Sequence, residues 1–102
     1  MAEVVTIFRS RLRYPAPGYE ALAEEMLALA RSMPGFVAFK AFQASDGERV
    51  SLITFDSLEA QRAWRDHPEH RKAQQRGRDE FYTWYRIEVC SLVGHREFPR
   101  PG

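Results

Sequence analysis

Trp64 and His70 are the residues of this 102-residue chain best suited to chemistry, and they lie in a segment, WRDHPEHRKAQQRGRDEFYTWY from Trp64 to Tyr85, that concentrates aromatic rings and imidazoles. An indole offers a flat face for stacking on a planar ligand and a single N–H donor to orient it. An imidazole in the first turn of a helix feels the positive end of the helix dipole, which favours its neutral form and suits a base or hydrogen-bond acceptor near neutral pH. Each residue also has a plainer reading. A Trp on the inner stripe of an amphipathic helix is core, sharing its burial with Leu58, Ala60 and Ala63, and His70 would then be a partly exposed side chain on a solvated helix. Core packing with one edge lining a pocket satisfies both readings of Trp64. His67 precedes Pro68, which holds it in extended geometry, and it is expected to face solvent.

These side chains need elements to place them. Asp66-His67-Pro68-Glu69 reads as a helix restart, since Pro68 fits a first turn and Asp66 or His67 can cap it. Trp64 then closes one helical piece, and the next runs to about Gly77. Residues 3–12 are rich in β-branched and apolar types and stop at a Pro- and Gly-bearing stretch, 14–18. Tyr19, Leu22, Met26, Leu29 and Met33 step by three and four, one face of a helix that Pro34-Gly35 ends. Residues 36–44 read as a strand, Asp46-Gly47 as a hairpin turn, and 49–55 as its antiparallel partner. Ser57 is an N-cap for the following helix. Residues 81–93 form a long last strand, and 95–102 read as a loose end.

The order β-α-β-β-α-β predicts an α+β, ferredoxin-like split βαβ fold, a four-stranded antiparallel sheet with two helices, the second broken, on one face. Residues 1–97 make one domain, and 98–102 a flexible C-terminal tail. Neither sheet face reads as polar. Val5 and Ile7 oppose Val4 and Phe8, Val37 and Phe39 oppose Phe36 and Phe42, and Leu52 opposes Ile53 and Phe55. Two helices can bury only one face, so a sheet-to-sheet homodimer is expected, with Phe39 and Ile53 as candidate interface positions.

Composition narrows the function classes. Fifteen Lys and Arg against 14 Asp and Glu leave a net charge of +1, so no overall field draws the chain to nucleic acid or anionic lipid. The cations Arg62, Arg65, Arg71, Lys72, Arg76 and Arg78 read either as a phosphate-binding helix or as a solvated helix face with partners such as Glu69 for Lys72. The near-zero charge favours the second. Tyr82, Trp84 and Tyr85 could form a stacking platform, but filling both faces of a covered sheet explains them more simply. No run approaches the roughly 18 apolar residues of a membrane span. Glu3 stands where a signal peptide would be basic, and the single cysteine agrees with a reducing compartment, so a cytoplasmic location is expected. Cys90 is expected to be a small buried apolar residue. No glycine-rich phosphate loop, dinucleotide fingerprint, paired-Cys motif or zinc spacing is present.

The pattern W-x5-H-x2-A, carried by Trp64, His70 and Ala73, resembles the antibiotic biosynthesis monooxygenase family of dimeric α+β barrel proteins, and the resemblance covers nearly the whole chain in element order. It implies a homodimer, a cavity between helices and sheet with His70 on its wall and Trp64 nearby, and no bound cofactor. Several relatives oxygenate electron-rich phenols or quinols with dioxygen alone. By resemblance, His70 is then the catalytic base or proton relay, Trp64 the ring-orienting wall and Phe8 part of a dry lining for a small aromatic ligand. The haem-degrading branch pairs a strand asparagine with the tryptophan and a histidine ten residues beyond it. Here that tenth residue is Gln74 and Arg9-Ser10 stand where the asparagine would be, so haem ligation is not expected. The polyketide-tailoring branch places an asparagine one turn before the tryptophan, where this chain has Ala60, and a tyrosine where it has His70. A non-catalytic small-ligand or stress-related binding protein on the same scaffold stays open as the alternative, with a haem-degrading relative behind it.

Overall fold

A computed structural model describes residues 2–99. Its elements are β1 (Val4–Leu12), α1 (Tyr19–Ser32), β2 (Phe36–Gln43), β3 (Arg49–Phe55), α2 (Leu58–Asp66), α3 (Pro68–Arg76), a π-helical turn (Gly77–Phe81) and β4 (Tyr82–Ser91). The strands form one antiparallel sheet in the order β2-β3-β1-β4, the arrangement the element order predicts. The expected tail, 98–102, lies outside the described residues from 100 onward. Regular structure ends at Ser91, after which the Leu92 N–H donates to the Glu3 carbonyl at 2.8 Å.

Register assigns the faces, because directly paired residues of an antiparallel sheet point the same way. Val4, Thr6 and Ser10 of β1 are buried, and their partners Phe55, Ile53 and Arg49 share the helix-covered face. Val5, Ile7, Val50 and Leu52 point the other way and are half-buried, beside Phe42 at 50% exposure and Trp84 at 40%. The Arg9 guanidinium lies 5.6 Å from the Trp84 ring centre on that outer face and pairs with Glu48 at 2.9 Å.

Two strand irregularities alter the expected facing. Pairing shifts between Phe36 and Ala38, so Phe36 and Phe39 both turn toward the helices, opposite Phe55 and Ile53. Simple alternation had put them on opposite faces. A second shift beside Arg11 and Leu12 sends both Tyr82 and Tyr85 inward while Trp84 points out. Phe39 and Ile53 therefore belong to the covered side rather than to an interface between sheets. Cys90, expected to be buried, is exposed, because it pairs with Val5 on the outer face. Leu58 and Ala63 are also exposed, and the buried stripe of α2 is Gln61 and Trp64, with Ala60 beside them.

The turn at Gly77–Phe81 is an addition to the expected layout, which ran the helix to about Gly77 and began the strand at 81. The site of Gly77 has no space for a side chain, since a Cβ there would sit 2.6 Å from the Tyr82 ring. Core packing divides into one cluster of Ala30, Ile53, Phe55 and Trp64 and another of Leu22, Ala73 and Phe81.

Candidate functional site

The break between α2 and α3 builds the site. Pro68 removes a backbone donor at the first turn of α3, and His67, half-buried rather than simply solvent-facing, caps that helix: its Nδ1 accepts from the Glu69 N–H at 3.1 Å. The His67 N–H in turn donates to the Trp64 carbonyl at 3.2 Å. This folds α3 back so that His70 lies over Trp64, ring centres 4.1 Å apart and planes 21° from parallel. Phe55 packs against the same indole at 5.5 Å. Trp64 is thus core and wall at once, 7% exposed, and its Nε1–H is buried without a protein partner among the described residues.

Both rings line a partly open cavity of about 300 Å³ between the covered sheet face and the helices. That volume is at the small end for ligand pockets and suits a molecule of one to three rings. Phe8, Ile53 and Ile87 line it from the sheet, Leu22 and Met26 from α1. Phe8 stacks on Tyr85 at 5.7 Å and meets Tyr82 edge-on at 5.4 Å. The three residues singled out from sequence, Trp64, His70 and Phe8, all line this one cavity.

Polar groups are few and specific. Gln61 is buried and its Nε2 donates to Thr6 Oγ1 at 3.4 Å. Gln74 Nε2 lies 3.2 Å from the Arg65 carbonyl and 3.2 Å from His70 Nδ1. Arg78 reaches the Tyr85 hydroxyl at 3.5 Å. Burial holds the His70 imidazole below its ordinary pKa, against the opposing pull of the Arg65 and Trp64 carbonyls, so it is neutral at physiological pH. Burial beside Tyr19 pushes the Tyr82 phenol well above its ordinary value, which makes it a donor and not a base. Among the described residues no three of His, Cys, Asp and Glu come together in a way that could hold a metal ion.

The cation run divides as its solvated reading expects. Arg71 pairs with Asp66, Lys72 with Glu69 and Arg76 with Glu80, all exposed. Sequence reasoning missed Gln74 as a partner of His70, because it weighed that position only against haem ligation. It missed Tyr82 and Tyr85 as cavity walls because a spacing of three on a strand predicts opposite faces. Gln61 carried a usable signal: a polar residue one turn before Trp64 on the same helix stripe.

Residues 16–76 match the model of the family described as antibiotic biosynthesis monooxygenase. YqjZ, an uncharacterized protein of Bacillus subtilis (strain 168), is 35% identical over 81 residues, which span 79% of this chain and 71% of YqjZ. The fold superposes on a variant of SnoaB, a cofactor-independent oxygenase from Streptomyces nogalater, with TM-score 0.80 and 16% identity, covering 98% of this chain and all of that one. Rv0793 from Mycobacterium tuberculosis gives TM-score 0.76 and 22% identity over 95% of this chain and 99% of the other. At these identities the solved structures establish a common fold.

Proposed function

This chain belongs to the antibiotic biosynthesis monooxygenase family, and from that premise we propose that it is a cofactor-independent monooxygenase of small phenols or quinols. The observation that carries the reading is the Trp64–His70 stack, 4.1 Å between ring centres, on the wall of an apolar cavity that also contains Phe8. Triplet dioxygen reacts poorly with closed-shell organic molecules, but an ionised phenol can give it one electron. The phenoxyl radical and superoxide then join at an unsubstituted ring carbon ortho or para to the oxygen, and loss of water from the resulting hydroperoxide yields a quinone. Phenol plus dioxygen gives quinone plus water, so the substrate supplies all four electrons and no external reductant enters.

In this reading the protein's work is to handle the hydroxyl proton, hold the ring and exclude water. His70 governs the ionisation of that hydroxyl, Trp64 orients the ring by stacking, and Phe8 keeps that side dry. The outer sheet face, with Val5, Ile7, Val50 and Leu52 half-exposed, supports a homodimer closed sheet to sheet. A single cysteine fits the reducing cytoplasm as the place of action.

Oxygen uptake with a panel of hydroquinones and naphthols tests the proposal. Uptake above background that drops on His70→Ala is expected. Uptake at background level, with no effect of His70→Ala, would defeat the enzymatic reading and leave a binding protein.

A further inference from the structure

We infer that Gln74 is a positioning residue that fixes the proton of His70 on Nε2, so that His70 meets an occupant of the cavity as a hydrogen-bond donor. Each contact of the Gln74 amide must match a donor with an acceptor. A backbone carbonyl only accepts, so the Gln74 side-chain atom 3.2 Å from the Arg65 carbonyl is the amide nitrogen. The same nitrogen lies 3.2 Å from His70 Nδ1. Its second N–H then points at Nδ1, which must carry a lone pair. Turning the amide over would set its oxygen against the Arg65 carbonyl, and a proton on Nδ1 would set N–H against N–H. Only the Nε2–H tautomer satisfies both contacts.

The surroundings agree. The titratable or charged groups lining the cavity besides His70 are Arg65, Arg78, Tyr19, Tyr82 and Tyr85. Among the described residues none of these is a carboxylate, so none supplies an anion that draws the ring proton to Nδ1. The carbonyls of Trp64 and Arg65, at the end of α2, favour a protonated ring, and Gln74 opposes them by occupying Nδ1 and the Arg65 carbonyl. His67 adds a weak repulsion toward a charged His70. The Arg65 guanidinium is bound by Asp66 at 2.8 Å, and Asp66 also holds Arg71, so that carboxylate is committed elsewhere.

The consequence bears on the proposed reaction and rests on it only in naming the occupant. Nε2–H of His70 is then a donor on the wall of the cavity. Such a donor stabilises an oxyanion and lowers the pKa of a phenol bound there. The ring oxygen is then held as the phenolate, its proton released to solvent, and resting His70 does not take that proton up. A base at Nε2 needs the other tautomer, which a carboxylate at position 74 would create by accepting a proton from Nδ1.

Long-range imidazole nitrogen–proton correlation spectra of the full chain labelled with 15N-histidine test this directly. At neutral pH, wild-type His70 is expected in the Nε2–H form. Gln74→Glu is expected to move it to the Nδ1–H form and raise its titration midpoint, and Gln74→Leu to give a mixture, while His67 and His95 stay unchanged as internal controls. A wild-type His70 protonated on Nδ1 overturns the inference even if no variant folds, and so does a folded Gln74→Glu protein with the wild-type tautomer. Oxygen uptake is a separate readout: absent turnover would remove the enzymatic reading and leave the tautomer assignment standing.

Discussion

Leu52 and Ile53 are neighbours in β3 that point to opposite faces, and replacing each in turn by aspartate separates the two packing problems of this sheet. Ile53 is 4% exposed in the cluster with Ala30, Phe55 and Trp64. Truncating such a side chain costs about 2–5 kcal/mol, and an unpartnered buried carboxylate adds several more. Against a total stability of about 5–15 kcal/mol for a domain of this size, Ile53→Asp leaves most of the chain unfolded. Leu52 is only half-buried on the uncovered face, so an aspartate there keeps its water in a single protomer and costs about 1 kcal/mol of lost apolar contact. In a sheet-to-sheet dimer the same change buries two carboxylates, one per copy. At about 3 kcal/mol each, the dimer is weakened by about four orders of magnitude in Kd. Circular dichroism reports the first effect and sedimentation equilibrium the second. Cys90, on the outer face with Val5, gives an independent readout, since its thiol should react faster with a disulfide reagent in Leu52→Asp than in the wild type. A Leu52→Asp protein with wild-type mass and thiol reactivity would refute the outer-face dimer, and a stable Ile53→Asp protein would refute the assignment of faces.

Two further outcomes concern the site and its frame. His70 binds a proton less readily folded than unfolded, so stability is unaffected above its unfolded value of 6.5 and falls as pH drops below it, until the lower folded value is reached. One proton limits that slope to about 1.4 kcal/mol per pH unit; urea denaturation across this window should show a shallower slope for His70→Phe, and equal slopes would contradict the burial of this ring. Gly35 has φ +84°, and a Cβ there would lie 2.5 Å from Asp56 Oδ1 and 2.7 Å from the Ala60 Cβ. Left-handed backbone costs an L-residue about 1–2 kcal/mol before any clash, so Gly35→Ala should lower the urea midpoint by the equivalent of at least 2 kcal/mol, and a midpoint within experimental error of wild type would sink that account.

What could be read from the residues alone was whatever depends on local chemistry. Asp46-Gly47 announced its hairpin, Ser57 caps α2 through a hydrogen bond from the Ala60 N–H at 3.1 Å, and Pro68 marked the restart that places His70. What stayed hidden depends on partners distant in sequence. Nothing in FVAF or YTWY shows that each loses its alternation, because the pairing shifts are set by β3 and β1 across the sheet. Both irregularities have the same effect, turning a second aromatic ring of one strand into the covered side. The π-helical turn likewise has no local signature, and its fit around Gly77 is defined by the Tyr82 ring. The partnership of Gln74 with His70 does have the i, i+4 spacing of a helix pair, but its meaning comes from the Arg65 carbonyl, contributed by another helix.

The two indoles occupy different environments, and this gives the chain a pair of separable optical reporters. Trp64 emits from an apolar setting with an imidazole 4.1 Å away, so its quantum yield answers to what enters the chamber and to the charge on that imidazole. Trp84 stands at 40% exposure beside a guanidinium, and its emission colour answers to dehydration of the opposite surface. Single-tryptophan versions, with phenylalanine at one position or the other, would let entry of a trial ligand and the proposed subunit closure be tested in one instrument without any added dye.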